Sequence, residues 1–317
     1  MGAGPGLAPV WPAVPGLARR RRARVLGMAS RGETLAAGLL IAPALLGFAL
    51  FHAWPALRAI QFSFTDWNLL REPAYVGWAN YAHMLRDATF WNAMKVSALH
   101  VLLNIPVQTA LGLFLAVVMH RLTQSLFVRS VVLLPYLLSN VLVGLIWVWL
   151  LDPLLGWANH AVVAFGLDRQ PFFGGTAQAL ATVAGVNIWR HSGMVALLFL
   201  AGLASIPRQV YEAARLEGAS EWQMFRRITL PLLRPVMAFV LVTSVTGSFQ
   251  TFDIIAVTTQ GGPLDHTRVI VYYIVQNAFS FYRMGYASAM SMVLCLVMAM
   301  YALLQMRLLR AAESDLG

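Results

Sequence analysis

Residues 212–231 read EAARLEGASEWQMFRRITLP, the most polar segment in a chain that is otherwise mostly hydrocarbon. Ser205 stands where it can cap a helix carrying Pro207 in its first turn, and Gly218 stands where such a helix ends on a residue with φ > 0. Ser220 and Gln223 have the spacing of a capping box for a second helix, which runs until Pro231 and Pro235 punctuate the chain. The spacing predicts helix, glycine turn, helix. Val210, Ala213, Ala214 and Glu217 share a face of the first helix, and Trp222, Phe225 and Ile228 give the second an apolar side. A short pair with a small-residue face and several arginines fits either a partner protein or a membrane surface.

Outside this segment the composition sets the class. The chain is 59% hydrophobic and 11% charged, against roughly a quarter charged in soluble domains, so its 317 residues describe a polytopic membrane protein embedded in lipid. A net charge of +10 would suggest nucleic acid in a soluble chain. Here the arginines lie between apolar runs, where topology explains them, and no nucleic-acid partner is expected. The single cysteine, Cys295, excludes an internal disulfide and a cysteine metal cluster.

A span needs roughly 20 apolar residues. Six candidates are present, at about 35–57, 93–119, 130–150, 179–203, 233–257 and 287–308. Before them, residues 1–33 are rich in Gly, Pro and Arg and read as a disordered basic tail, with Met28 as an alternative start; residues 34–317 form the membrane domain. The first span is too long for a signal peptide and has no clear cleavage site. Six crossings put both termini on one side. Fifteen Lys and Arg residues fall on that side and seven on the other, leaving Arg190 within a span. The positive-inside rule therefore places both termini and the Glu212 loop in the cytoplasm. Aromatic residues in QFSFTDWN and YVGWANY suit the opposite interface, and VIVYYIVQNAFSFYRMGYASA, after a turn at Gly261-Gly262-Pro263, is amphipathic enough to lie partly in it. Pro43, Pro106 and Pro135 within spans mark packing kinks.

Inside the spans two polar groups stand out. Asn187, Arg190, His191 and Met194 share one face of the fourth. A charge at span centre costs about 2.5–3.5 kcal/mol on insertion scales, so that face meets water, solute, or a carboxylate or carbonyls of a neighbouring helix. In the fifth, Ser244, Ser248 and Thr251 form one stripe, with Thr246, Gln250 and Asp253 roughly opposite. Hydroxyls in spans also serve as helix glue. Beside Phe249 and Phe252, however, small hydroxyls suit a polyhydroxylated solute, and the Ser244 stripe leaves room for one. Asp253 is a candidate partner for Arg190 or Arg268.

No motif supports catalysis or nucleotide binding. A P-loop needs a lysine followed by Ser or Thr, and the one lysine, Lys95, precedes Val96. Any ATP-driven step must come from another polypeptide. His191 and Ser192 are adjacent, so on a helix they point about 100° apart and do not form a nucleophile–base pair, and there is no HExxH pair.

The Glu212 loop also carries a family signature: Glu212-Ala213-Ala214, three residues, Gly218, nine residues, Ile228, one residue, Leu230-Pro231. This is similar to the cytoplasmic loop of binding-protein-dependent ABC importer permeases. YVGWANY, LLPYLLSN, WLLDPLLGWAN, LAGLASIPRQVYEAARLEGAS and FQTFDIIAVTTQGGP resemble the first permease of the sugar-type pair. The resemblance implies an all-α, six-transmembrane-helix fold with a helix-Gly-helix coupling loop at 205–231. It also implies a second permease subunit, two ATP-binding subunits docked on Glu212, Ala213, Ala214, Gly218, Ile228, Leu230 and Pro231, and an external solute-binding protein. On this reading ATP and magnesium belong to the partners, and this chain has no cofactor, catalytic residue or metal of its own. Arg190, His191, Met194, Ser244, Ser248 and Thr251 are the candidate substrate path across the bacterial inner membrane. Sugar, oligosaccharide, polyol and glycerol phosphate remain open as solutes. The competing reading is a secondary active transporter, which would need internal repeats and ionisable coupling groups in its spans and would leave the Glu212 loop without a role.

Overall fold

The computed structural model describes residues 31–122 and 125–309. Most of the basic tail, Met28 and Arg310 lie outside them. The described residues are helical and contain no β-strand, only an isolated bridge between Thr65 and Tyr75. Two compact units divide at Arg58/Ala59. The first contains α1, Arg31–Phe48, with Pro43 inside it, followed by a π turn at Ala49–Ala53. Helix α2, Trp54–Ser63, crosses the division.

In the second unit the order is α3 (Ala79–Arg86), α4 (Ala88–Leu122), α5 (Leu126–Leu137), α6 (Asn140–Leu150), α7 (Trp157–Ala164) and α8 (Ala179–Ala204). Then come α9 (Arg208–Leu216), α10 (Glu221–Met224), a π turn at Phe225–Thr229, α11 (Leu230–Leu232), α12 (Arg234–Phe249), α13 (Asp253–Val257), α14 (Ile270–Val275) and α15 (Met284–Leu309). Five stretches are long and apolar enough to cross a membrane, and α5 with α6 make a sixth only if a bent pair counts as one span.

Helices α4 and α8 form the spine of the unit. Small residues let neighbouring backbones close on α8: a Cβ on Gly193 would collide with the Val132 carbonyl of α5. Phe199, Leu203, Ala116, Met119 and Leu233 fill the core towards the Glu212 loop, while Val143, Val183, Ile255 and Val269 fill a second cluster.

Two predicted spans are interrupted. The stretch 130–150 is not one helix: α5 and α6 meet at Leu138–Ser139 with a bend of 92°. Leu138 and Ser139 are extended, with ψ of 148° and 147°, and the Ser139 hydroxyl accepts the Leu142 amide at 3.2 Å, taking a donor that a continuous helix would give to Leu138. The stretch 233–257 breaks at 250–252, between α12 and α13.

The segment after the Gly261-Gly262-Pro263 turn has two sides: Phe279, Phe281 and Tyr282 are exposed, and the other side packs inside the unit. Ile270 and Asn277 are fully buried, in a core shared with Phe90, Tyr286 and Met290. Asp87 ties this region together, its Oδ2 accepting both the Tyr273 and Tyr286 hydroxyls at 2.7 Å. Burial acts to raise the Asp87 carboxyl, but hydrogen bonds from Tyr286, Tyr273 and the Phe90 and Thr89 amides outweigh it and hold it below its ordinary 3.8. A depressed folded value means stability fully present above the unfolded-state pKa and lost as pH falls through the folded one. Asp87→Ala should remove this tie and cost about 2–3 kcal/mol, read as a lower melting temperature at pH 7 in detergent and a flatter stability profile on acidification. An unchanged profile would contradict the role given to Asp87.

The aromatic segment 61–81 forms a clip. Asn80 Nδ2 donates to the Ser63 and Thr65 carbonyls at 2.9 and 2.8 Å, and beside it Phe64 packs edge to face on Trp78 while Tyr81 lies tilted against both.

Candidate functional site

Two regions gather the candidate residues. At the Glu212 end, α9 closes in a Schellman turn: the Gly218 amide reaches the Arg215 carbonyl and the Ala219 amide the Ala214 carbonyl, both at 3.0 Å, with Gly218 at φ 78°. The capping box follows, with Gln223 Oε1 accepting the Ser220 amide and Ser220 Oγ accepting the Gln223 amide. Ser205 does not cap α9. It ends α8, its hydroxyl donating to the Gly202 carbonyl at 2.7 Å, and Pro207 is the residue before α9. The four-residue face of α9 divides, with Val210 and Ala214 half-buried and Ala213 and Glu217 exposed. Glu212 and Gly218 are exposed, and Ile228, Leu230 and Pro231 are half-buried.

Glu212 lines a cleft of about 480 Å³ with His120, Arg121, Tyr211, Arg215 and Glu221. Glu221 holds the loop to the end of α4 through Arg121 at 2.7 Å and to α9 through Arg215 at 3.3 Å. These are exposed pairs, worth little individually. A less exposed tie joins the half-buried Tyr211 hydroxyl to that of Thr229 at 2.9 Å. Leu216, 90% exposed, and Trp222, 67% exposed, project apolar side chains from the loop. Leu216 was absent from the sequence-derived candidates, although an isolated leucine beside the glycine turn, opposite the packed face, is its signal.

Among the apolar helices a cavity of about 360 Å³ lies between α4, α5, α6, α8, α12 and α13. His191, Met194, Ser244, Ser248 and Thr251 line it. Thr251 does so from the break after α12, so the helical spacing that grouped it with Ser244 does not hold there. The same break brings Gln250 and Asp253 to this cavity, although a continuous helix would point them roughly the other way. The polar groups meet because two helices end inside the fold, the arrangement in which discontinuous helices expose polar groups at membrane depth.

Arg190 does not line the cavity. One guanidinium nitrogen donates to the carbonyls of Tyr136 and Leu138 at 3.2 and 2.8 Å, supplying the donors that the α5–α6 break removes. The other lies 2.9 Å from His191 Nε2, and His191 Nδ1 lies 3.0 Å from the Asn187 carbonyl. Because arginine only donates, this chain requires neutral His191 with its proton on Nδ1. Of the readings open from sequence, Arg190 takes the carbonyl one. Asp253 pairs with neither arginine: its Oδ2 accepts Asn140 Nδ2 at 2.8 Å, while Arg268 bonds Asp265 at 2.9 Å.

Helix α4 supplies a wall missing from the sequence-derived candidates. Asn104 Nδ2 donates to Ser248 Oγ at 3.3 Å and Gln108 Nε2 to Ser244 Oγ at 3.2 Å. His100, Asn104 and Gln108 recur every four residues inside an apolar span, which is the signal that finds them.

Residues 108–311 match the family described as the binding-protein-dependent transport system inner membrane component. The chain belongs to this family. It is a multi-pass inner-membrane permease subunit of an ATP-binding-cassette importer, not an enzyme. The permease is 33% identical to the sulfoquinovosyl glycerol transport system permease protein SmoG of Agrobacterium fabrum, over 89% of this chain and 92% of that one. It is 31% identical to the sn-glycerol-3-phosphate transport system permease protein UgpA of the same species, over 85% and 92% of the two chains. Among solved structures, a chain of the bacterial alginate ABC transporter in complex with an alginate pentasaccharide-bound periplasmic protein superposes with a TM-score of 0.75 at 25% identity, covering 92% of the permease and 97% of that chain.

Proposed function

We propose that this permease carries a sugar or related polyol inward through the 360 Å³ cavity, as one of two permease subunits served by two ATP-binding subunits and an external solute-binding protein. The observation that carries the reading is the cavity lining: hydroxyls of Ser244, Ser248 and Thr251 beside amides of Asn104 and Gln108, with Phe239 and Phe252 among the aromatic walls. Hydroxyl and amide groups exchange hydrogen bonds with a polyol, and aromatic faces take its apolar side. The relatives named for sulfoquinovosyl glycerol and sn-glycerol-3-phosphate, and the alginate transporter, support a polyhydroxylated cargo.

ATP and magnesium are bound by the partners, in keeping with a chain whose one lysine lacks a P-loop context. The partners dock on the loop around Glu212, Ala213, Ala214 and Gly218, with Ile228, Leu230 and Pro231 setting its base and Leu216 and Trp222 as apolar contacts. Both termini and this loop face the cytoplasm, as the arginine distribution supports. One experiment tests orientation and docking together. In a Cys295→Ala background, Ser220→Cys should react with an impermeant thiol reagent only from the cytoplasmic side, and binding of the ATPase subunits should shield it. Adding Gly218→Val, which forces a β-branched residue into a left-handed conformation costing about 1–2 kcal/mol, should lower uptake and uncover the thiol again. Labelling from the outer side would overturn the orientation, and a thiol indifferent to the ATPase subunits would overturn the docking assignment.

A further inference from the structure

Another cleft, of about 520 Å³, opens where α4 ends, α5 begins and α8 runs into α9. Its size falls within the range of small-ligand sites. Arg129 of α5, Arg208 of α9 and His120 of α4 line it, together with Leu197, Leu200 and Ala204 of the apolar helix α8. Among its described lining residues there is no aspartate or glutamate. Glu212, one turn along α9 from Arg208, lines the neighbouring Glu212 cleft instead.

The cations of this cleft have no internal counter-charge. Arg121 and Arg215 both pair with Glu221, whereas Arg129 and Arg208 have no ion pair among the described residues. Arg129 is also half-buried, one turn inside a helix whose Leu126 and Phe127 before it and Val131 after it are 77%, 76% and 51% exposed. Exposed apolar residues on both sides of a guanidinium suit the boundary between hydrocarbon and water, where long cationic side chains reach the headgroups. A basic cleft between span ends, with an apolar wall, has the chemistry of an anionic headgroup site. Its guanidiniums match a phosphate, and the leucines beside them match the first carbons of the acyl chains. A cytosolic protein could also supply an anion, but it would leave Leu126, Phe127 and Val131 facing water.

We propose that this cleft holds the phosphate of an anionic phospholipid, with Arg129 and Arg208 as the groups that bind it. The orientation given above then puts the site at the cytoplasmic leaflet, and the proposal is independent of what the 360 Å³ cavity carries. Each arginine near an anionic headgroup is expected to strengthen lipid binding about fivefold.

The test uses the complete transporter, ATPase subunits included, in phosphatidylcholine proteoliposomes that carry photoactivatable phosphatidylglycerol in one leaflet at a time. After irradiation, lipid-bearing peptides are expected from 126–131 and 197–208, and from the cytoplasmic leaflet only. Excess unlabelled phosphatidylglycerol should suppress this labelling, while excess phosphatidylcholine and inorganic phosphate should not. Arg129→Gln with Arg208→Gln should lower it about 25-fold, and Arg129→Lys with Arg208→Lys should keep most of it, which separates lost charge from a misfolded chain. No labelling at these peptides, equal labelling by photoactivatable phosphatidylcholine, or labelling indifferent to the glutamine pair would overturn the proposal. Competition by inorganic phosphate would make the cleft a soluble-anion site, and labelling that appears only once the ATPase subunits are removed would make it a protein interface; either result overturns it. Ser220→Cys in a Cys295→Ala background, probed in the same vesicles, separates this failure from that of the orientation. Lipid labelling from the outer leaflet with a thiol also reactive from outside would overturn the orientation and leave the headgroup site standing, whereas labelling from the leaflet opposite the thiol would overturn the site.

Discussion

Arg190→Leu is expected to abolish uptake and to lower the melting temperature of the permease sharply. The substitution leaves the Tyr136 and Leu138 carbonyls without their donor at the α5–α6 break, and it leaves His191 Nε2 without its own. Each buried unsatisfied group costs about 1–3 kcal/mol. Arg190→Lys should recover part of the stability and little of the uptake, because a compact ammonium lacks the planar fork that reaches two carbonyls and a ring nitrogen together. Thermal unfolding in detergent and uptake in proteoliposomes read the two effects. Normal uptake in Arg190→Leu would show that the bent helix pair holds its shape without this clamp.

The second large effect is expected at Ser248, which is 4% exposed at the cavity wall. Ser248→Trp places an indole into a space of about 360 Å³, and uptake should fall by about 100-fold as passage is blocked; burying the indole N–H without a partner adds a stability cost of about 1–3 kcal/mol. The ATPase subunits should remain bound, because Ser248 lies away from the Glu212 loop. Ser248→Ala removes one hydrogen bond with Asn104, worth about 1 kcal/mol, and should leave uptake within several-fold of normal. Equal effects of the two substitutions would mean that Ser248 acts through helix packing rather than by lining a passage.

Local chain chemistry is the part of this fold most legible in sequence. The positive φ at Gly218 and the Ser220–Gln223 box follow from residues within one or two turns of each other. The helical class and the apolar spans follow from composition and length. What hydropathy does not register is where an apolar helix stops and restarts inside the membrane. The break at Leu138–Ser139 leaves a trace, a serine in capping position just after Pro135. The break at 250–252 leaves none, since Gln250, Thr251 and Phe252 include no glycine or proline, and only packing against α4 and α6 selects it. Both breaks shape the cavity, so the sequence pointed to Ser244, Ser248 and Met194 while misjudging how Thr251 and Asp253 reach the same place. Arg190 illustrates a second gap. Its partners are backbone carbonyls, which exist at every position and carry no sequence signal. The polar row on α4 shows the reverse case, where the signal is present at four-residue spacing and gains meaning only when Ser244 and Ser248 face it.

Accessibility of the cavity through the transport cycle tests the central claim most directly. Cysteines at Met194 and Thr251, placed one at a time in a Cys295→Ala background of the complete transporter, are labelled with an impermeant reagent from each side, with and without trapped ATP. If the cavity is the solute path, each thiol reacts from one side without nucleotide and from the other with ATP trapped, and the transported solute slows both reactions. Labelling whose sidedness ignores ATP, together with no protection by solute, would contradict the account and return Ser244, Ser248 and Thr251 to helix packing.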